Sequence, residues 1–309
     1  MFQNLEDAKI NWITHLRDQV NCSENTVIAY KNDLDDFLRF LSEYLGNELT
    51  LKIVIDSDIR TFRSWLAYRF GQKKAASSSA RAVASLRNFY RFLMYHSCCQ
   101  GSKIFSIKTP KKAILNPKAL SVDDTLECIA HLSSKKSNWT NLRDESLLTL
   151  IYGTGCRISE ALSITKNHLK EDALKITGKG RKQRLIPILP MLRSKLNQYI
   201  EQIPFVLDND QPIFIGKLGK PLHSGTFRVI IQKMRQALGL PKSVTPHVFR
   251  HSFATHLLNN GANLRAIQEL LGHVSLSSTQ KYTKVELTHL KKAYESHPFL
   301  KNTKKEILE

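Results

Sequence analysis

The sequence predicts a mainly α-helical protein with two domains, an all-helical N-terminal domain and an α+β domain of helices with a small antiparallel β-hairpin or sheet. Three observations support this prediction. Apolar residues recur at helical spacing over most of the chain, one segment alternates as a β-hairpin does, and a basic stretch with two prolines separates the halves. With 309 residues, the chain is also too long for one small core.

The first hundred residues are predicted to be entirely helical. One helix covers residues 5–18, and a second begins after Ser23, a residue type that caps helices by accepting a backbone hydrogen bond. A third helix covers roughly residues 56–70. The small, polar and basic segment 71–79 then leads into a fourth helix.

Basic residues mark the fourth helix and the segment before it as a candidate surface for a polyanion. Arg81, Arg87 and Arg91 are interspersed with apolar residues along the helix, and Lys73 and Lys74 precede it. The alternative is an ordinary solvated face, since lysine and arginine are common on surface helices.

The stretch KTPKKAILNPK contains four lysines, two prolines and no acidic residue. This composition is typical of an extended linker, and Lys111 and Lys112 lie where such a linker could run along phosphates. We therefore expect a linker at 108–117 between a domain at 1–107 and a domain at 118–309.

The second half opens with two predicted helices. Ser121 is a cap for a helix that ends at Leu132, and a leucine-rich helix follows over residues 141–152. This second helix is expected to end at the turn formed by residues 153–155, whose glycines would let Arg157 approach a ligand closely.

The period of apolar residues then changes from helical to alternating. Ile176 and Leu185 lie in two short segments that flank the basic turn GKGRK, which predicts a β-hairpin. Lys179 would lie near its tip, although a glycine and lysine in a turn are weak evidence alone. A further short strand and turn are expected over residues 212–219, before a helix that Ser224 caps.

The stretch TPHVFRHSFATHLLNNGANL begins with a cap and a proline that suit the first turn of a helix. His247 and Arg250 are three residues apart in its first turns, where the helix dipole favours an anion. The opposite face is expected to be buried through the apolar residues Phe249, Phe253, Leu257 and Leu258. The pair therefore indicates a phosphate site.

A second short helix is predicted over residues 263–272, and Gly272 ends it just before His273. Ser277 and Gln280 have the spacing of a capping box, which predicts another helix that carries Tyr282. Taken singly, a histidine and an arginine three residues apart on a helix, or a tyrosine near a helix start, usually have a structural role.

Charge and composition narrow the function further. The net charge of +19 and the pI near 9.7 indicate a polyanionic partner, nucleic acid first. No run of 18 apolar residues and no signal peptide are present, so we expect a cytoplasmic protein without a membrane partner. The five cysteines lack metal-site or disulfide spacing and are expected to be reduced thiols.

Four segments together resemble the tyrosine recombinases, also called the phage integrase family. H-x-x-R-H, then L-L-G-H, then a tyrosine nine residues later form a specific C-terminal signature. YGTGCRISEAL resembles the first arginine motif of the family, and ITGKGRKQRLIP resembles its lysine-bearing hairpin. The N-terminal part resembles the SAM-like DNA-binding domain of the Xer subgroup, and the tail is closer to the XerC branch than to the XerD branch.

The resemblance implies a site-specific recombinase that cleaves and rejoins DNA. All six catalytic positions of the family are filled, by Arg157, Lys179, His247, Arg250, His273 and Tyr282. Two guanidiniums can hold the oxygens of a phosphodiester, which suits Arg157 and Arg250. Tyr282 would be the nucleophile that forms a phosphotyrosine.

The remaining roles follow from the same resemblance. Lys179 would be the general acid for the leaving hydroxyl, His247 an acid or base near the tyrosine, and His273 a hydrogen-bond partner of the phosphate. No ATP, metal or other cofactor is implied.

The partners implied are a dif-like DNA site with two half-sites, a partner recombinase of XerD type, and a DNA translocase as activator. The C-terminal tail, residues 286–309, would join a DNA-bound tetramer. DNA contacts are expected from Lys73, Lys74, Arg81, Arg87, Arg91, Lys111, Lys112 and Arg181.

Other functions compete with this one. His247, His251 and His256 have spacings that can bind zinc, but the sequence lacks the glutamate base of that motif and places Arg250 among the histidines. A non-enzymatic DNA-binding protein would explain the charge alone. A mobile-element integrase and a type IB topoisomerase share the expected chemistry.

Overall fold

In the computed structural model, the described residues are 2–110, 118–133, 138–171, 173–177 and 183–272. The chain divides into two units, Met1–Leu115 and Asn116–Glu309. Each unit has its own cluster of buried apolar side chains. The mainly helical fold class predicted from the sequence is confirmed.

The described part of the first unit is built from helices. They are α1 (Leu5–Asp18), α2 (Glu24–Leu45), α3 (Leu51–Ile55), α4 (Ile59–Gly71), α5 (Ala76–Tyr95) and a 3-10 helix (Lys103–Ser106). Aromatic side chains fill the core between them: the rings of Phe37 and Phe62 stack at 5.4 Å, and Phe37 meets Trp65 edge to face.

Side-chain caps explain where several of these helices begin. Ser23 accepts a hydrogen bond from the backbone of Thr26, which confirms the predicted start of α2. Asp58 caps α4 through the backbone of Thr61 at 2.7 Å, so this helix starts later than expected. Helix α3 was not predicted, because five residues are too few to show a helical period. Helix α5 begins at Ala76, inside the segment predicted to precede it.

The second unit contains further helices and the hairpin. They are α6 (Val122–Ser133), α7 (Trp139–Thr154), α8 (Ile158–Leu162), a 3-10 helix (Asn167–Leu169), β1 (Ala173–Thr177), β2 (Gln183–Pro187), α9 (Pro190–Glu201), α10 (Ser224–Ala237), α11 (Pro246–Asn259) and α12 (Leu264–Leu271). Helix α7 is central, since it is buried from Arg143 to Thr154 and packs against α6, α9 and α11.

The two strands pair antiparallel, from Ala173 opposite Pro187 to Thr177 opposite Gln183, as predicted. The residues between them, 178–182, lie outside the described ranges. The short strand expected over 212–219, a fully described segment, does not form. Instead, isolated bridges join Thr165 to Pro212 and Ile215 to Pro221.

Two helix ends and one apolar stripe differ from the sequence prediction. Helix α7 continues to Thr154, so only Gly155 leaves the helix, with a φ of 64°. His223 rather than Ser224 caps α10, because its Nδ1 accepts a hydrogen bond from the backbone of Gly225. On α11, Leu258 is half exposed and does not extend the buried stripe.

None of the helices in the described ranges has both the length and the apolar character that a membrane crossing requires.

Candidate active site

The candidate site lies in the second unit, where the C-terminal ends of α7 and α12 meet α11. Gly155 and Gly272 both adopt left-handed backbone conformations and end these two helices. Arg250, on α11, donates one hydrogen bond to the Gly155 carbonyl and one to the Leu271 carbonyl, each at 2.6 Å. Two helix C-termini, which carry partial negative charge, thus hold a buried guanidinium.

Arg157 lies at the start of the short helix α8. Its backbone N–H donates to Oε2 of Glu160 at 2.8 Å, and its Nη1 donates to Oε1 at 2.8 Å. The Arg157 side chain is 41% exposed, so its guanidinium can reach a ligand while the carboxylate holds it in place.

Glu160 is the buried carboxylate that joins the arginines of the site. Arg184, on β2, grips it with two hydrogen bonds, Nη1 to Oε1 at 3.0 Å and Nη2 to Oε2 at 2.6 Å. Arg250 Nη1 lies 3.8 Å from Oε2, beyond hydrogen-bond distance. Three guanidiniums and one carboxylate leave a net charge of +2, which suits a phosphate.

The surroundings of Glu160 decide its charge. Burial alone would raise the pKa of this carboxyl, but the hydrogen bonds from Arg184 and from the Arg157 backbone lower it to about 2. Burial and the charge of Arg157 lower the pKa of the Arg250 guanidinium to about 10. Both groups are therefore ionised at neutral pH.

His247 lies at the surface, at the start of α11. Desolvation of its ring, followed by the positive charges of Arg250, His251 and Arg157, lowers the pKa of His247 below its usual value. The imidazole is therefore neutral at pH 7 and has a lone pair that can accept a proton.

The structure brings together three of the six predicted catalytic residues, Arg157, His247 and Arg250. The other three, Lys179, His273 and Tyr282, lie outside the described residues. Along the chain, β1 and β2 flank the segment that contains Lys179. Helix α12 ends at Leu271, two residues before His273.

Two residues of the site were not predicted, Glu160 and Arg184, although both occur in the motifs identified from the sequence. The spacing of Glu160, three residues after Arg157 at a helix start, was the available signal for the first. No local pattern marks Arg184, because its partners are distant in the chain.

The predicted DNA-contacting residues of the first unit differ in their surroundings. Lys73 and Lys74 are exposed, and so is Arg91, whose guanidinium lies 5.5 Å from the Phe105 ring centre. Arg81 instead makes a two-pronged pair with buried Asp33, at 2.7 and 3.0 Å.

Arg87 also has internal partners, because it donates to the Thr109 hydroxyl and to the Ile107 carbonyl. The remaining predicted DNA contacts, Lys111, Lys112 and Arg181, lie outside the described residues.

The histidines of the zinc alternative do not converge. His251 is exposed, whereas His256 is buried between the Tyr152 hydroxyl at 2.9 Å and the Leu120 carbonyl at 2.8 Å. A carbonyl only accepts, so Nε2 of His256 carries the proton and Nδ1 accepts from Tyr152. Within the described ranges, no three His, Cys, Asp or Glu side chains are grouped to hold a metal.

Comparison with known proteins identifies the family of this chain. The Phage integrase family matches residues 120–289, and the Phage integrase, N-terminal SAM-like domain matches residues 10–96. The tyrosine recombinase XerC of Rickettsia prowazekii (strain Madrid E) is 48% identical over 293 residues, which cover 94% of this chain and 96% of that protein. The tyrosine recombinase XerC of Rickettsia bellii (strain OSU 85-389) is 45% identical over 300 residues, covering 96% and 98%.

A solved structure shares the fold. It is a lambda integrase tetramer bound to a Holliday junction, with a TM-score of 0.68 and 19% identity, covering 92% of this chain and 80% of that chain. Because two family regions match and the relatives are nearly equal in length, the chain belongs to the phage integrase family and is a tyrosine recombinase, an enzyme of site-specific DNA recombination.

Proposed function

We propose that this recombinase breaks and rejoins DNA strands through a 3′-phosphotyrosine intermediate, with Tyr282 as the nucleophile. The observation that carries the proposal is the grouping of Arg157 and Arg250 around Glu160, next to a neutral His247. The guanidiniums of Arg157 and Arg250 are both positively charged, so both could bind the same DNA phosphate.

The positive charge suits the transition state of phosphoryl transfer. A phosphodiester under attack gains negative charge on its non-bridging oxygens, and forked hydrogen bonds from two guanidiniums stabilise that charge. Arg250 is held by two backbone carbonyls, which use two of its five N–H groups and keep the side chain in a fixed position. Such fixed donors need little reorganisation when the reaction occurs.

Proton transfer completes the reaction. Tyr282 attacks the phosphorus in line, and the 5′-oxygen leaves as a hydroxyl because Lys179 protonates it. His247 acts as acid or base near the tyrosine and, as a base, accepts the proton that the phenol loses, while His273 hydrogen-bonds the phosphate. The phosphotyrosine conserves the bond for rejoining, so the reaction needs no ATP, metal or other cofactor.

Each proposed domain has its own function. Residues 1–107 bind DNA, 108–117 form the basic linker, and 118–309 catalyse. Lys73, Lys74 and Arg91 are the better candidates for direct phosphate contacts, because Arg81 and Arg87 already have partners within the protein. Additional contacts are proposed for Lys111, Lys112 and Arg181.

The biological role proposed is Xer-type resolution of chromosome or plasmid dimers in the cytoplasm. Support comes from the XerC relatives, which match over nearly their whole length. The enzyme would act as a tetramer on a dif-like site of two half-sites, with a XerD-type partner, contacts through residues 286–309, and a DNA translocase as activator. Sequencing the genomic fragments that the purified protein retains would identify the site.

The nucleophile is tested by Tyr282→Phe with a suicide DNA substrate. We expect the variant to form no covalent adduct yet to bind DNA with nearly unchanged affinity, because one hydroxyl adds little to an interface dominated by phosphate contacts. Adducts are measured on a denaturing gel. Tyr95→Phe, at a tyrosine that is 78% exposed, is the matched control and should react normally. Undiminished adduct with Tyr282→Phe would contradict the proposal.

A further inference from the structure

We propose that Arg184 is a positioning residue for recombination, which neutralises Glu160 and so keeps Arg157 and Arg250 available for the DNA phosphate. The inference rests on the proposed roles of those two arginines. Arg184 itself would not touch the reacting atoms.

Arg184 is built into the interior of the second unit. Its side chain is 5% exposed and makes hydrogen bonds in different directions. Among them, two reach Glu160, at 3.0 and 2.6 Å, and another runs from Nε to the Leu270 carbonyl at 2.8 Å. The planar fork of a guanidinium can make this set of bonds, whereas the point charge of a lysine cannot.

Glu160 has a limited capacity for partners. A carboxylate offers about four lone-pair positions, and Glu160 accepts two hydrogen bonds from Arg157 and two from Arg184. Arg250 Nη1 therefore remains 3.8 Å from Glu160 Oε2, and the guanidinium donates to backbone carbonyls instead. The position of Arg250 depends on Arg184 already occupying the carboxylate.

Removal of Arg184 would change which arginines bond the Glu160 carboxylate. The buried carboxylate would lose its strongest neutralising partner, and a shift of about 1 Å would bring Arg250 Nη1 within hydrogen-bond distance of Oε2. An arginine drawn onto a buried carboxylate is a weaker ligand for phosphate, because the two anions compete for the same N–H groups. Arg157, which already donates to Glu160, would be held more strongly by the carboxylate that Arg184 no longer neutralises.

Arg184 also connects two segments that lead toward other proposed catalytic residues. It lies on β2, which follows the segment with Lys179, and it bonds the end of α12, which precedes His273. Gly272 leaves room for it, since a Cβ at that position would lie 3.1 Å from the Arg184 Cδ. One side chain thus holds the ends of a strand and a helix together.

The test compares Arg184→Met, Arg184→Lys and the double variant Arg184→Met/Glu160→Gln in the full-length protein. Covalent adduct formation on a suicide substrate is measured in single turnover, and half-site affinity by band shift. We expect Arg184→Met to slow adduct formation on the order of 100-fold with affinity changed less than about threefold. Arg184→Lys keeps the charge and should recover about tenfold of that loss.

The double variant separates neutralisation from packing. Without the Glu160 charge, no buried carboxylate attracts Arg250, so the double variant should recover about tenfold of the activity lost in Arg184→Met. If Arg184→Met alone does not fold, the rate of adduct formation by the folded double variant tests the inference. A double variant as slow as 100-fold below the parent, or Arg184→Met as fast as the parent, would overturn the inference.

Two controls make the outcome specific. Arg265→Met removes the arginine of an exposed Arg–Glu pair in the same unit and should leave adduct formation unchanged. Arg250→Met tests the function on which the inference rests. Normal cleavage by Arg250→Met would refute the proposed function, whereas an inactive Arg250→Met beside a fully active Arg184→Met would refute only the role of Arg184.

Discussion

At the scale of single residues, charge neighbours decide the protonation states on which the reaction depends. Glu160 stays ionised because Arg184 and Arg157 surround it, with a pKa of about 2 compared with 4.5 for an unperturbed glutamate. The folded state therefore binds fewer protons than the unfolded state between these values. The stability that Glu160 contributes is full above about pH 4.5 and is lost as the pH falls toward 2.

His247 gives a direct test of this electrostatic arrangement. Its pKa is lowered by desolvation and by nearby cations, so replacing Arg157 with Gln should raise the His247 pKa toward the usual value. NMR titration of the imidazole measures the shift in the free protein. A His247 pKa that is unchanged in Arg157→Gln would contradict the proposed proximity.

At the scale of elements, the site is assembled from helix ends. Helices α7 and α12 stop at Gly155 and Gly272, and their final turns present the carbonyls that hold Arg250. A side chain at Gly155 would have no space, because its Cβ would lie 2.5 Å from the Phe253 ring and 2.9 Å from Leu271. The close approach of α7, α11 and α12 therefore requires glycine here.

We expect Gly155→Ala to destabilise the second unit by about 2–5 kcal/mol, from left-handed backbone strain together with overpacking. Gly239→Ala is the matched control, since Gly239 has a φ of 65° and open space around the Cβ position. It should cost only the strain, about 1–2 kcal/mol. Thermal or urea unfolding compares the two. Equal losses of unfolding free energy in the two variants would mean that the side chains around Gly155 accommodate the added methyl group without destabilising the unit.

At the scale of the whole molecule, a net charge of +19 predicts how DNA binding responds to salt. If six or more phosphates are neutralised, affinity for a half-site should fall roughly a thousandfold between about 50 and 200 mM salt. Under the proposed function, adduct formation should persist in excess EDTA, because the arginines and Lys179 would supply the positive charge. Filter binding and denaturing gels measure the two effects. Cleavage lost to EDTA and restored by a divalent cation would contradict the metal-free mechanism.

The sequence predicted what local patterns can encode. Helix starts at Ser23 and Ser121 and the antiparallel pairing of β1 and β2 were predicted correctly, because caps and alternation are short-range signals. Helix α3 escaped prediction because it is one turn long. The link between Arg184 and Glu160 escaped it as well, because a buried ion pair across 24 residues leaves no periodic trace.

The anchoring of Leu120 has a mechanical consequence. Ser252 accepts a hydrogen bond from the Leu120 N–H at 2.9 Å, and His256 donates to its carbonyl. Both side chains belong to α11, the helix that carries Arg250. Tension along the preceding chain would therefore reach α11 directly, before it could stretch the turns of α6. A pull on Leu120 would thus act on the same helix as Arg250, the arginine proposed to hold the phosphate.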